Sequence, residues 1–303
     1  MRGLFKKLTL VLFFILVIFV LIVLGISVKA VDTLTKVKRV PITQTPKDVG
    51  LTFENVKFKS AVDGLTLKGW FIPSNNSDKV VVLIHGTAKN RQDSDVGFLE
   101  IAKGLIKAGF SVLTFDLRAH GESEGQRYTL GFHERRDVEG AISYLENRGI
   151  KQDKIGLMGF SLGGELAILA SEDFPQIGAV ISDSSFTNFS ETLKDRLPKE
   201  SKLPPFFVYP VTLVAKILLG IDITQLNPEA AIAKMPNRRF LIIHGEADDI
   251  FPKENALRLA KASKNPATEV WVVPGAKHTQ AFNTEPGLYI LKVTEFLKQE
   301  LLD

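Results

Sequence analysis

The stretch 154-KIGLMGFSLGGELAILA-170 opens with an apolar run, turns at Gly159-Phe160-Ser161-Leu162-Gly163 and continues in good helix formers. Strand, tight turn and helix is the context in which Gly-x-Ser-x-Gly acts as a nucleophile elbow. A serine at the apex takes a strained backbone conformation. Two residues to either side, strand and helix nearly touch, so those positions must be almost free of side chain. Gly159 and Gly163 meet that demand. The following helix aims its free N–H groups toward Ser161, beside which the oxygen of an attacked carbonyl would gather negative charge. The pentapeptide alone also fits a plain glycine-rich turn, so the rest of the chain has to supply a base, an acid and an oxyanion site.

Outward from the elbow, strand-like and helix-like segments alternate. Residues 80–84 are all Val, Leu or Ile, as in a strand buried on both faces, and lead into His85-Gly86-Thr87. Helical spacing over 95–108 places Phe98, Ile101, Ala102, Leu105 and Ile106 on one face. The strand at 110–115 ends in Asp116-Leu117-Arg118-Ala119-His120-Gly121-Glu122-Ser123. A helix at 134–148 precedes the elbow strand, and another strand at 177–182 follows the elbow helix. The strand at 240–243 ends in His244-Gly245-Glu246-Ala247-Asp248, and the strand at 269–273 ends in Pro274-Gly275-Ala276-Lys277-His278. Helices at 252–264 and 285–302 complete the alternation. Upstream, residues 53–71 around Asp63-Gly64 read as an antiparallel hairpin at a sheet edge. Residues 186–239 contain no clear strand, and an insertion of that length in an α/β alternation is a lid. The pattern predicts a mostly parallel sheet with helices on both faces.

In such sheets, chemistry sits on loops at the carboxyl ends of strands. Ser161, Asp248 and His278 each follow a predicted strand. Their roles would be nucleophile, orienting acid and general base. Asp249 and Asp183 compete for the acid's role. Asp249 is expected to face solvent or cap the next helix, and Asp183 to brace the entry to the lid. The pieces His85-Gly86, Asp116-x-Arg118-x-His120-Gly121-x-Ser123, Gly159-x-Ser161-x-Gly163, His244-Gly245-x-x-Asp248 and Gly275-x-x-His278, in that order, resemble an α/β-hydrolase. The texture is similar to bacterial esterases, and prolyl-oligopeptidase-type catalytic domains share the same parts. The resemblance covers 51–303 and implies an eight-stranded, mostly parallel sheet with the elbow strand central. It also implies Ser161, Asp248 and His278 as the triad, with the backbone N–H groups of Thr87 and Leu162 as the oxyanion hole. Of the other histidines, His85 is expected to shape the oxyanion loop, His120 and His244 to be structural, and His133 to be an ordinary exposed residue.

Residues 8–26 carry no charge, and nineteen residues rise about 28 Å as a helix, close to the hydrocarbon thickness of a bilayer. Residues 1–30 therefore read as a membrane anchor. Val28-Lys29-Ala30 also fits a small-residue cleavage site, which keeps a cleaved signal peptide as the second reading. Basic residues flank both ends, and the expected arrangement is single-pass with a short cytoplasmic N-terminus and an extracytoplasmic catalytic domain. Residues 31–50, with Pro41 and Pro46, read as a tether. The chain has no Cys, which removes disulfides and thiolate chemistry. No His/Asp/Glu grouping has metal-ligand spacing, so no metal and no cofactor are expected. A net charge of +4 spread along the chain, without a dense basic run, argues against nucleic acid as a partner. The expected function is cleavage of small-molecule carboxylic esters through an acyl-enzyme. The rivals are a peptidase or thioesterase on the same triad, and a non-catalytic scaffold that keeps the fold. The lid's Phe206, Phe207 and the run 211–219 are expected to pack on the sheet, to line an apolar acyl pocket or to face the membrane.

Overall fold

Alternate residues of a strand point to opposite faces of its sheet, so a strand buried on both sides has to be apolar throughout. The computed structural model, which describes residues 2–75 and 77–301, places strands of this kind at the centre of an eight-stranded sheet. The strands are β1 (Glu54–Lys59), β2 (Thr66–Ile72), β3 (Val80–Ile84), β4 (Ser111–Phe115), β5 (Ile155–Phe160), β6 (Ala179–Asp183), β7 (Leu241–Gly245) and β8 (Glu269–Val273). They lie in the order β1-β2-β4-β3-β5-β6-β7-β8. β1 and β2 form the expected antiparallel hairpin at the edge, β2 runs antiparallel to β4, and the other neighbours are parallel.

The helices are α1 (Arg2–Thr35), α2 (Phe98–Lys107), α3 (Arg135–Asn147), α4 (Leu162–Asp173), α5 (Phe189–Ser201), α6 (Val208–Leu219), α7 (Pro228–Ala233), α8 (Glu254–Ser263), α9 (Ala281–Thr284) and α10 (Pro286–Glu300). In β3, Val80, Val82 and Ile84 pack into one core with residues of α3, α4 and α8. Val81 and Leu83 pack into the opposite core with residues of α2 and α10. The two-layer covering follows from this single strand's composition.

Two segments differ from their sequence reading. Residues 31–50 are no free tether. The helix that holds the apolar stretch continues to Thr35, and Val31 is buried in a third cluster with Leu193, Leu197, Val208, Val211, Val214, Ala215 and Ile221. Beyond it the chain is strapped to the body. Arg39 donates to the carbonyls of His120, Gly121 and Gly125 at 3.0, 2.7 and 2.9 Å. Gln92 Oε1 accepts from the backbone of Thr43 and Gln44 at 2.8 and 3.1 Å. The lid is helical as expected, but Val208, Val211, Val214 and Ala215 of α6 bury against α5 and α1 rather than lining the cavity over the sheet. The physical reason is the extra length of α1, which supplies an apolar surface that the lid covers.

Candidate active site

Parallel register sets the stage. β3 pairs with β5 so that Ile84 lies opposite Gly159, which brings the loop after β3 alongside the elbow. Ser161 adopts φ 55° and ψ −118°, a conformation that an L-residue takes only when its surroundings hold it there. The Ser161 N–H donates to the Asp183 carbonyl at 2.8 Å, tying the apex to the neighbouring strand. A Cβ on Gly159 would collide with the Gly163 carbonyl, and a Cβ on Gly163 with that of Ile84, so the glycines are steric requirements.

The structure brings the three sequence-predicted side chains into one line. His278 Nε2 lies 3.0 Å from Ser161 Oγ, and His278 Nδ1 lies 2.8 Å from Asp248 Oδ2. The Asp248 side chain is fully buried, whereas that of His278 keeps partial exposure toward the cavity. Burial alone would raise the Asp248 carboxyl, but hydrogen bonds from His244 and His278 outweigh it and hold the group well below the usual carboxylate range. An ionised Asp248 accepts the Nδ1–H of His278 and leaves Nε2 as the acceptor for the serine proton. Asp248 Oδ1 accepts the N–H groups of Ile250 and Phe251, both at 2.8 Å, so both of its oxygens are occupied and its orientation is fixed. Asp249 beside it is exposed.

Other residues hold this line in place. His244 Nε2 lies 3.2 Å from Asp248 Oδ2 and 3.0 Å from the Phe251 carbonyl. It is therefore a second donor to the candidate acid as well as a structural residue. Burial lowers the His244 pKa, but the hydrogen bonds to Asp248 and Phe251 raise it above its ordinary value on balance. The only sequence signal for this role was the spacing His-Gly-x-x-Asp itself. Asp183 braces the expected loop through Ser184 and, through it, a second loop as well. Its carboxylate accepts from Tyr289 at 2.7 Å and from the Ser184 hydroxyl at 2.8 Å, and Ser184 Oγ accepts the N–H of Thr279 at 3.0 Å. It thereby fixes the residue after His278.

The candidate oxyanion loop is positioned by buried histidines and one carboxylate. His85 donates from Nδ1 to the Gly86 carbonyl at 2.7 Å and accepts the Leu117 N–H on Nε2 at 3.0 Å. His120 donates from Nδ1 to the Arg118 carbonyl at 2.8 Å and accepts the Ala88 N–H on Nε2 at 3.2 Å. Each ring must be neutral to serve as donor and acceptor at once, and burial enforces this by pushing His85 down to about 4 and His120 down to about 3. Asp116 accepts from the Arg91 backbone and guanidinium, both at 2.6 Å, and Ser123 Oγ donates to the Asp116 carbonyl at 2.6 Å. The motif from Asp116 to Ser123 is thus a clamp on the loop that carries Thr87. Thr87 and Leu162 line the same cavity as Ser161 and His278. His133 is less exposed than expected: it sits beneath the end of α6, with Nε2 3.4 Å from the Leu219 carbonyl.

The cavity holds about 340 Å³ and is lined on the lid side by α5, through Leu193, Arg196, Leu197 and Glu200. Leu34 of α1 also reaches it. One turn past Ser161, Glu165 is fully buried, and neither carboxyl oxygen has a hydrogen-bond partner among the described residues. Burial, reinforced by the nearby Glu134, raises its pKa well above the ordinary value and favours the protonated form.

A mostly parallel eight-stranded sheet that carries Ser, Asp and His on loops beyond its strand ends, in that order, is the architecture of an α/β hydrolase. The model of the alpha/beta hydrolase fold matches residues 79–209, and the chain has the α/β-hydrolase fold. It is similar to the Pyrococcus furiosus esterase Pf2001, at 27% identity over 88% of this chain and 98% of that one, with a TM-score of 0.73. It is also 28% identical to the uncharacterized protein YqkD of Bacillus subtilis (strain 168), over 84% of each chain. Est1E from Butyrivibrio proteoclasticus, solved with ferulic acid bound, shares the fold at 21% identity, 81% coverage of this chain, 99% of that one and a TM-score of 0.63. By its structural neighbours the chain is an esterase-like α/β hydrolase.

Two predictions follow from the geometry and charge of the site. Asp248→Asn should lower kcat on an ester by about 10⁴-fold with the circular dichroism spectrum retained, because the amide presents the wrong group to Nδ1. Asp249→Asn and Asp183→Asn should each stay within about tenfold of wild type. If Asp183→Asn is the dead variant and Asp248→Asn is active, the acid lies on β6.

Glu165 has the opposite sign of linkage from Asp248. Its raised native pKa means that the folded chain keeps a proton that the unfolded chain releases above its ordinary carboxyl value of 4.5, so its contribution to stability falls as pH rises through that window. Denaturant titrations should show Glu165→Gln gaining on wild type, by at most about 1.4 kcal/mol per pH unit, as pH rises above about 4.5. Parallel stability curves for the two proteins would mean that Glu165 is ionised in the fold.

Proposed function

We propose that the chain is a membrane-anchored serine hydrolase that cleaves carboxylic esters through an acyl-enzyme, with its catalytic domain outside the cytoplasm. The observation that carries this reading is the unbroken line of hydrogen bonds from Ser161 through His278 to Asp248, bordering a largely apolar cavity. Ser161 Oγ bonds to the ester carbonyl carbon as its proton passes to His278 Nε2. The carbonyl electron pair moves onto oxygen, and the N–H groups of Leu162 and Thr87 receive the negative charge. Collapse of the tetrahedral species expels the alcohol oxygen, which takes the proton from Nε2. Water then repeats the sequence on the acyl-serine and frees the acid. The charged imidazole formed in each half is stabilised by Asp248, itself held ionised by His244.

The anchor reading is supported by the helix Leu4–Thr35, long and apolar enough to cross a membrane, of whose most apolar stretch only 6% is buried within the protein. Its far end is built into the lid rather than linked by free chain, which favours retention over cleavage after Ala30.

A fluorophosphonate probe should label wild type at Ser161 and leave Ser161→Ala unlabelled. Hydrolysis of p-nitrophenyl butyrate should fall at least about 10⁴-fold in Ser161→Ala, with the thermal midpoint little changed. Ester hydrolysis by Ser161→Ala within tenfold of wild type sinks the assignment, and a wild type that neither labels nor hydrolyses is a scaffold.

A further inference from the structure

Helix α6 has one charged side chain, Lys216, among its twelve residues. One side of it packs into the cluster with Val31 of α1. The other side is apolar as well and has no cover: Tyr209, Leu213 and Ile217, at helical spacing, are 72%, 53% and 71% exposed, with Phe206 and Leu218 beside them. Lys216 lies on this face too, with its ammonium paired to Asp222 at 2.8 Å, and an exposed face otherwise this apolar suits the boundary of an apolar surrounding. What surrounds it is indicated by its neighbour, because α6 lies against the lower part of the same helix whose residues 8–26 form the uncharged span.

A second observation concerns the path to Ser161. A groove between α1 and the end of α5 is lined by Ile26 and Lys29 at one end and by Leu34, Leu197 and Glu200 at the other. Leu34, Leu197 and Glu200 also line the catalytic cavity. The groove and the cavity therefore lie on either side of the same three side chains, and the groove's other end is at the point where the uncharged span stops. From Ile26 to Leu34 is about 12 Å of helix rise. The exposed Lys29 and Lys202 stand near this mouth, where cations suit anionic headgroups.

We propose that the exposed stripe of α6 lies in the bilayer surface and that the substrate is an amphiphilic ester drawn from the membrane along the groove between α1 and α5 to Ser161. The proposal rests on the reading of the chain as an anchored ester hydrolase and adds its substrate class. The lid is then a fixed wall shared with the anchor, and the acyl chain moves from lipid to cavity without crossing bulk water.

The test uses the full chain in phosphatidylcholine vesicles. Leu213→Trp should lose at least about half of its added fluorescence when the lipid is brominated in its acyl chains, while wild type, with Trp70 and Trp271 only, changes little. Leu213→Asp with Ile217→Asp should keep kcat/KM for water-soluble p-nitrophenyl butyrate within about twofold and lose at least about tenfold on p-nitrophenyl palmitate in the vesicles. An unquenched Leu213→Trp indole, an unchanged palmitate rate, or equal loss on both esters overturns the proposal; the first is also the result if the stripe covers a second copy of the chain. Failure of the hydrolase reading shows separately, as a wild type that cleaves neither ester, and does not affect the quenching.

Discussion

The structure depends on a close approach between backbones at the elbow. β5 and α4 come so near that neither Gly159 nor Gly163 has room for a Cβ, and a Cβ on Gly86 of the adjoining loop would stand only 3.2 Å from the Phe160 carbonyl oxygen and from Ser161 Cβ. Ser161 is held at positive φ by this contact and by its bond to the Asp183 carbonyl. The strain is local, and the cost is met by the two apolar cores that clamp the sheet. What it achieves is a hydroxyl presented at a fixed point, with a helix N-terminus and a clamped loop on either side. The other site residues are placed relative to that point.

Charge states around the point are sorted by environment. Asp248 is buried yet ionised, because two histidines and two backbone N–H groups favour the charged form. His85 and His120 are buried and neutral, each spending one nitrogen as donor and one as acceptor on the loop that carries Thr87. Glu165, with no hydrogen-bond partner among the described residues, has its pKa raised by burial, which favours the neutral form. The same burial thus yields opposite protonation states, decided by which hydrogen bonds are available.

Most of the fold could be read from the sequence, since each central strand is an apolar run that stops at a polar loop, and the order of Ser161, Asp248 and His278 gave the candidate site. What stayed hidden is what depends on contacts between distant segments. Arg39 binds three carbonyls, and no residue pattern encodes a backbone acceptor, so 31–50 looked like a tether. The apolar run of α6 could not reveal which of its sides would meet α1 and α5 and which would be left uncovered. Asp183 lies at the mouth of the lid in sequence, but its partner Tyr289 is 106 residues away, so its role in fixing the loop after His278 appears only in three dimensions.

The central claim is that Ser161 forms a covalent acyl intermediate through the line to His278 and Asp248. Rapid mixing with p-nitrophenyl butyrate, acid quench and mass spectrometry of the digested chain test it directly. The account predicts a burst of p-nitrophenol approaching one equivalent of protein when deacylation is the slower half, and a butyryl mass on the peptide that contains Ser161. Turnover with the acyl mass on another residue, or with no acyl peptide even when deacylation is slowed at low pH, would contradict it.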